Sequence, residues 1–170
     1  MNRASTAILI GVLAAFAGCS SDPPTDSAVK QTFVANKPAF QKLHQMIQED
    51  RATQRIGDDV VGDDWFKTSG STLDDALAAV GLTRERYDEY MTLLGQIDAY
   101  RVSVDLYDES KSTIGIFRSG NVAESHSVDV VFAPNSPNPV VADTVAATIP
   151  DNTSAYLELG DSWYIYREHD

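Results

Sequence analysis

The residues of this 170-residue chain with most capacity for chemistry are one cysteine, three histidines and a dense run of aspartates. Cys19 sits in "LAAFAGCSSD", where an apolar run meets a polar one. A lone thiol closes no intramolecular disulfide and builds no cysteine-based zinc or iron–sulfur site. The run Asp58-Asp59-Val60-Val61-Gly62-Asp63-Asp64 supplies hard carboxylate oxygens of the kind that suit Ca²⁺ or Mg²⁺. Its spacing is not that of an EF-hand, which alternates oxygen ligands and ends on a bidentate Glu, so it reads as a solvated acidic loop. His44, His126 and His169 form no HExxH and no i, i+4 pair, which argues against a zinc enzyme. Ser125-His126-Ser127 has no G-x-S-x-G elbow to make it part of a triad. The glycines form neither G-x-G-x-x-G nor a P-loop, so no phosphate cradle is indicated. No cofactor, metal site or catalytic residue is expected from these patterns.

Aromatic side chains are the remaining candidates. Trp163-Tyr164-Ile165-Tyr166 is dense in rings near the end of the chain, and Tyr100 opens an alternating stretch. Tyr100, Trp163 and Tyr166 can line a groove for a peptide, glycan or lipid, or they can be core and cross-strand packing. Both readings fit the sequence.

Charge narrows the partners. The formal net charge is −12, from 13 basic and 25 acidic residues. Such a surface does not attract phosphate backbones or anionic headgroups. The nearest approach to a basic cluster, Arg84-Glu85-Arg86, is already interrupted by an acid. Nucleic acid is therefore not an expected partner. The hydrophobic fraction of 43% suits a globular chain, and this length suits one core.

The N-terminus has a different character. Arg3 is the only charged side chain before the apolar run Ala7 to Phe16, and small residues follow. The run is too short to span a bilayer, which takes about 20 apolar residues. A basic start, a short apolar centre and small residues make a secretory signal peptide. Ala15-Phe16-Ala17 is an A-x-A site for ordinary cleavage. Overlapping it, Phe16-Ala17-Gly18-Cys19 resembles a bacterial lipobox, with Phe16 where Leu is usual.

The lipobox resemblance implies a diacylglyceryl group on the Cys19 thiol, cleavage before Cys19, and N-acylation of the new terminus. One acyl chain binds a membrane marginally, whereas two or more anchor stably. Ser20, rather than Asp, follows the cysteine. In a Gram-negative source that implies the outer membrane, on its periplasmic face. The remainder resembles small uncharacterised proteobacterial lipoproteins, with a helical half and a Trp-Tyr-containing last strand. That resemblance supplies no activity.

These residues need elements to position them. The expected organisation is a signal peptide over 1–18, a lipidated tether over 19–28, and one domain over 29–170. Paired Pro23-Pro24 among Ser and Asp suits an extended tether. Asn36 is a plausible N-cap, and Phe40, Leu43, Met46 and Ile47 predict an amphipathic helix from about Lys37 to Asp50. Residues 51–70 read as a loop with a short extended piece. Ser71-x-x-Asp74 predicts the start of a helix ending at Gly81, and Thr83 caps another through Leu94.

From about residue 99 the period becomes two. Val102, Val104 and Leu106 continue the alternation from Tyr100. Ile114, Ile116 and Phe117, then Val128, Val130 and Phe132, mark two more strands, with Val140 to Ile149 open between strand and short helix. Tyr156 to Leu159 and Trp163 to Tyr166 read as a closing hairpin. Helices first and strands later predict an α+β fold, with helices on one face of an antiparallel meander. The expected function is a lipid-anchored envelope protein with a non-enzymatic binding or scaffolding domain. Its partner would be an envelope protein, glycan or lipid; the alternative is an envelope hydrolase or small-ligand carrier.

Overall fold

The computed structural model describes residues 22–105, 107–120, 125–142, 144 and 153–169. Cys19, the signal segment, Leu106, and residues 143 and 145–150 of the ambiguous stretch lie outside them. The order is α1 (Asp26–Glu49), a 3-10 turn (Arg51–Thr53), β1 (Arg55–Gly57), α2 (Phe66–Ser69), α3 (Leu73–Val80) and α4 (Arg84–Gln96). Then come β2 (Arg101–Val104), β3 (Ser112–Gly120), β4 (Ser125–Phe132), β5 (Thr153–Gly160) and β6 (Trp163–His169). The fold is α+β, with the N-terminal helical region packed on one antiparallel sheet ordered β1-β2-β3-β4-β6-β5.

Helix α1 starts earlier than the sequence suggests. Thr25 is its N-cap, accepting from the Ala28 amide, and Asp26 lies in its first turn. Asn36 is not a cap but a kink, with φ −123° and ψ 21°. Pro38 explains it: the ring has no N–H to donate and crowds the preceding turn, so the helix bends without stopping. Helix α3 is capped one residue later than expected, by a reciprocal Thr72–Asp75 box in place of Ser71 and Asp74. Thr83 caps α4 as read from the sequence.

The helices bury one face of the sheet. Phe33, Phe40, Leu43, Met46 and Ile47 of α1 meet Val102, Ile114, Val130 and Ile165. Trp163 is central, with ring centroids 5.6 Å from Phe33, 6.1 Å from Phe40 and 5.3 Å from Phe132. Arg86 ties α4 to the end of α1, donating to Asp50 at 2.7 Å and Glu49 at 2.8 Å. Arg84 pairs with Asp74 and Asp88, so both arginines of the short basic stretch are engaged by acids.

Both outer strands are covered. On the β5 side, the Val141 amide donates to Tyr156 and the Tyr156 amide to Pro139. On the β1 side, Gly57 and Gly62 amides donate to Val60 and Arg55. Covered edges of this kind resist pairing with other chains.

The segment leading into α1 is also pinned. Arg167, 5% exposed, reaches from β6 to Asp26 at 2.9 Å, to Thr144 Oγ1 at 2.7 Å, and to the Pro24 carbonyl. Thr144 donates to the same carboxylate from its amide at 2.8 Å. Burial works against the charge of Asp26. The Thr144 and Arg167 hydrogen bonds outweigh it and hold the carboxyl below the usual range.

Candidate functional site

The helices cover one face of the sheet, and strand alternation sends the other half of the side chains to the opposite face. Across that open face one continuous row of register partners runs through all six strands: Gly57, Arg101, Gly115, Asp129, Tyr166 and Tyr156. Neighbouring members stand about 4.8 Å apart along the hydrogen-bonding direction. The row thus presents a guanidinium, a gap, a carboxylate and two phenols in order.

The gap is filled from the side. Tyr100, just before β2, lays its ring over Gly115. A Cβ there would come within 2.5 Å of Tyr100 Cζ, so no larger residue fits without moving that ring. Arg101 stacks on the same ring, 5.3 Å from its centroid. The Gly115 register is followed by a β-bulge before Phe117, which returns Phe117 to the helix-covered face.

Asp129 is the centre of the site. It is 3% exposed, although it stands on the face with no helix over it. Its neighbours close around it, and burial pushes its carboxyl up to about 7, against the pull of Arg101 and a hydrogen bond from Ser127. Among the described residues three buried side-chain atoms find no hydrogen-bond partner: Asp129 Oδ1, Arg101 Nε and Tyr100 Oη. All three belong to this one patch. Native interiors leave few such atoms, and a cluster of them calls for an explanation.

A cleft of about 270 Å³ opens over the patch, between Arg101, Lys111, Asp129, Pro137, Tyr156, Tyr166 and Glu168. A second, of about 410 Å³, lies on the other side of Tyr100 and Arg101, against Asp58, Asp59, Trp65 and Arg118. Arg101 lines both clefts, and Tyr100 lines the second. The tyrosine rings are mutually packed, Tyr156 to Tyr166 at 5.1 Å and Tyr156 to Tyr164 at 6.5 Å.

No family model matches this chain, and no curated protein or solved structure matches it either. The function must therefore be read from this geometry.

Of the three aromatic candidates, the structure brings Tyr100 and Tyr166 to the open face and separates Trp163 from them. Trp163 is 2% exposed and belongs to the core under α1. The physical reason is parity: Trp163 and Ile165 point to the helices, while Tyr164 and Tyr166 point away. The acidic run divides in the same manner. Val60 and Val61 are buried, Asp58 pairs with Lys67 at 2.8 Å, and Asp64 accepts from Ser69 at 2.6 Å. The described residues hold no group of three or more His, Cys, Asp or Glu side chains placed for a metal.

His44 bonds Ser112 at 2.8 Å and stacks 4.1 Å from Phe132, with burial lowering its pKa. His126 belongs to β4, three strands from the β1 edge where the acidic run lies. Asp129 and Arg101 were not singled out by sequence. The one available signal was Gly115 inside a strand, a position that marks close approach by another group.

The packing of Tyr100 on Gly115 has a direct consequence. Gly115→Ala should displace the ring and cost about 1–3 kcal/mol through overpacking. Burial now pushes the Tyr100 phenol up to about 12. Once displaced, that phenol should return toward an ordinary value. Phenolate absorbance titration compared with wild type checks this; an unshifted titration would mean the ring has not moved.

Proposed function

We propose that this chain is a lipid-anchored binding protein of the bacterial envelope, whose ligand is a small polar molecule held on the open face of the sheet at Asp129. One observation carries the reading of the site. Two buried polar atoms of opposite hydrogen-bonding character, Asp129 Oδ1 and Arg101 Nε, lack partners and belong to residues that line one cleft; a third, Tyr100 Oη, lies on the ring packed beside them. Leaving such groups unsatisfied costs about 1–3 kcal/mol each, a cost that a ligand with matching donors and acceptors removes. The cleft combines a few converging polar groups with aromatic walls, as small-molecule sites do.

The surface gives less support to a protein scaffold. Among the described residues the strongly exposed large hydrophobic side chains are Val34 on α1, Tyr107 between β2 and β3, and Val140 between β4 and β5. An apolar docking surface would gather such residues together.

The anchor rests on the segment ending Phe16-Ala17-Gly18-Cys19. No helix among the described residues is long and apolar enough to cross a membrane. In this reading lipid on Cys19 is the attachment, which in a Gram-negative cell would place the domain at the outer membrane's periplasmic face. Cys19→Ser should abolish acyl labelling and move the protein from the membrane fraction to the soluble one. A wild-type chain that never labels with fatty acid would sink the anchor.

Detergent-solubilised protein can test the site. After exposure to an envelope extract and gel filtration, mass spectrometry of the denatured filtrate should find a small molecule with wild type. The molecule should be lost with Asp129→Asn. Equal retention by the two proteins, or none by either, argues against the site.

A further inference from the structure

The chemistry of the Asp129 cleft is divided between two ends, and that division specifies what fits. On one side, Asp129 and Glu168 supply carboxylates beside the Tyr156 and Tyr166 rings. Carboxylates next to aromatic faces favour an organic ammonium, through ion pairing and cation–π attraction. On the other side, Arg101 lines the cleft, and its Nε is a donor with nothing to donate to among the described residues. Lys111 lines the same cleft and pairs with Asp108 at 3.5 Å. These donors favour a carboxylate or similar oxyanion.

Neither end explains the other. A simple anion would meet Asp105, Asp129 and Glu168 along the wall. A simple cation would leave Arg101 Nε buried and unmatched. Arg101 and Asp129 sit two strands apart in the row, with Gly115 and the overlying Tyr100 ring between them. Their backbones are therefore about 10 Å apart. The Tyr100 ring fills the space directly over Gly115, and the cleft of about 270 Å³ that Arg101 and Asp129 both line has room for charges joined by a short linker.

We infer that the cleft binds a small zwitterion, a short peptide with a free ammonium at the Asp129–Glu168 end and a free carboxylate at the Arg101 end. This rests on the reading of the open face as the binding site and adds the class of ligand.

The test uses calorimetry on the full detergent-solubilised chain, with three probes: alanyl-alanine, its N-acetyl form and its C-terminal amide. Alanyl-alanine should bind, and each blocked form should bind at least about tenfold more weakly. Asp129→Asn should lose the discrimination against the N-acetyl form, and Arg101→Met the discrimination against the amide. A purely structural role for either residue would weaken all probes alike. Equal binding of the three probes overturns the zwitterion, as does absence of heat with all of them at millimolar concentration. If an extract molecule is still retained through Asp129, only the ligand class has failed. If nothing is retained, the site itself has failed.

Discussion

Asp129→Asn is expected to make the protein more stable than wild type at pH 8 and leave it nearly unchanged near pH 4. The sign follows from proton linkage. In the unfolded chain this carboxyl titrates near its ordinary value of 3.8, and in the folded chain near 7. Between those values the native state holds a proton that the unfolded state has released. Stability therefore falls as pH rises from about 4 to about 7, and is level above. Three units of separation correspond to roughly 4 kcal/mol, which water penetration and relaxation reduce in practice to a few kcal/mol.

The groups facing Asp129 are Arg101 from β2, Arg118 from β3, Ser127 on its own strand, Glu168 and Tyr166 from β6, and the Tyr100 phenol. Arg101 and Arg118 favour its charge, Glu168 opposes it, and burial outweighs them all. Asparagine keeps the shape and the hydrogen bond with Ser127 without the charge. Urea unfolding of both proteins across this range checks the claim. Parallel profiles for wild type and variant would show that Asp129 is not the titrating group. A site that is less stable when ionised is one where a bound cation would stabilise the folded state.

The second large effect is on the opposite, helix-covered face of the sheet, one residue along β6 from Asp129's partner Tyr166. Arg167→Ala should cost about 3–5 kcal/mol at neutral pH, because it strands the Asp26 carboxylate beside a cavity. For a chain of this size that is a fall in melting temperature on the order of 10 °C. Asp26 in wild type has a depressed pKa, so its contribution is present above about 4 and is lost as pH falls through the folded value. The damage from Arg167→Ala should therefore shrink on acidification, when a protonated Asp26 no longer needs the guanidinium.

The double variant Asp26→Asn with Arg167→Met removes both charges and should be milder than Arg167→Ala alone. A thermodynamic cycle with the Asp26→Asn and Arg167→Met single variants should give a coupling on the order of 1–3 kcal/mol. Independent, additive losses would show that the pair does not act as a unit.

The architecture is legible in the chain because its periodicity changes once. Leu43, Met46 and Ile47 repeat with a helical period, while Val102 and Val104, or Val128 and Val130, repeat with period two. Helix starts are harder to read. A proline near position 38 marks a first turn or a kink equally well, and only the packing of Val29 and Phe33 under the sheet decides for the kink. Ser71 and Thr72 each precede an aspartate at the right spacing, and which one caps depends on which register turns Leu77 inward.

The site was nearly silent for a related reason. Asp129 lies between Val128 and Val130, where alternation assigns it to solvent. Its burial comes from Tyr100, Arg101, Tyr166 and Glu168, all distant in sequence and joined only by strand register. Tyr100 and Tyr166 could be suspected as rings, but a ring does not reveal its face until the strand's parity is known. Trp163, three residues before Tyr166, faces the opposite way.

On the proposed anchor, the pinned Pro24 carbonyl would set how far this domain can travel. With lipid on Cys19, the free length is only that from Cys19 to Pro24, at most about 18 Å of extended chain. The proline pair at its end stiffens even that leash. The domain would ride close against the bilayer by the Arg167 end of β6, unable to reach across the envelope. It would encounter its ligand by lateral diffusion in the membrane plane, acting as a surface-bound receptor that searches two dimensions while small solutes come to it from the third.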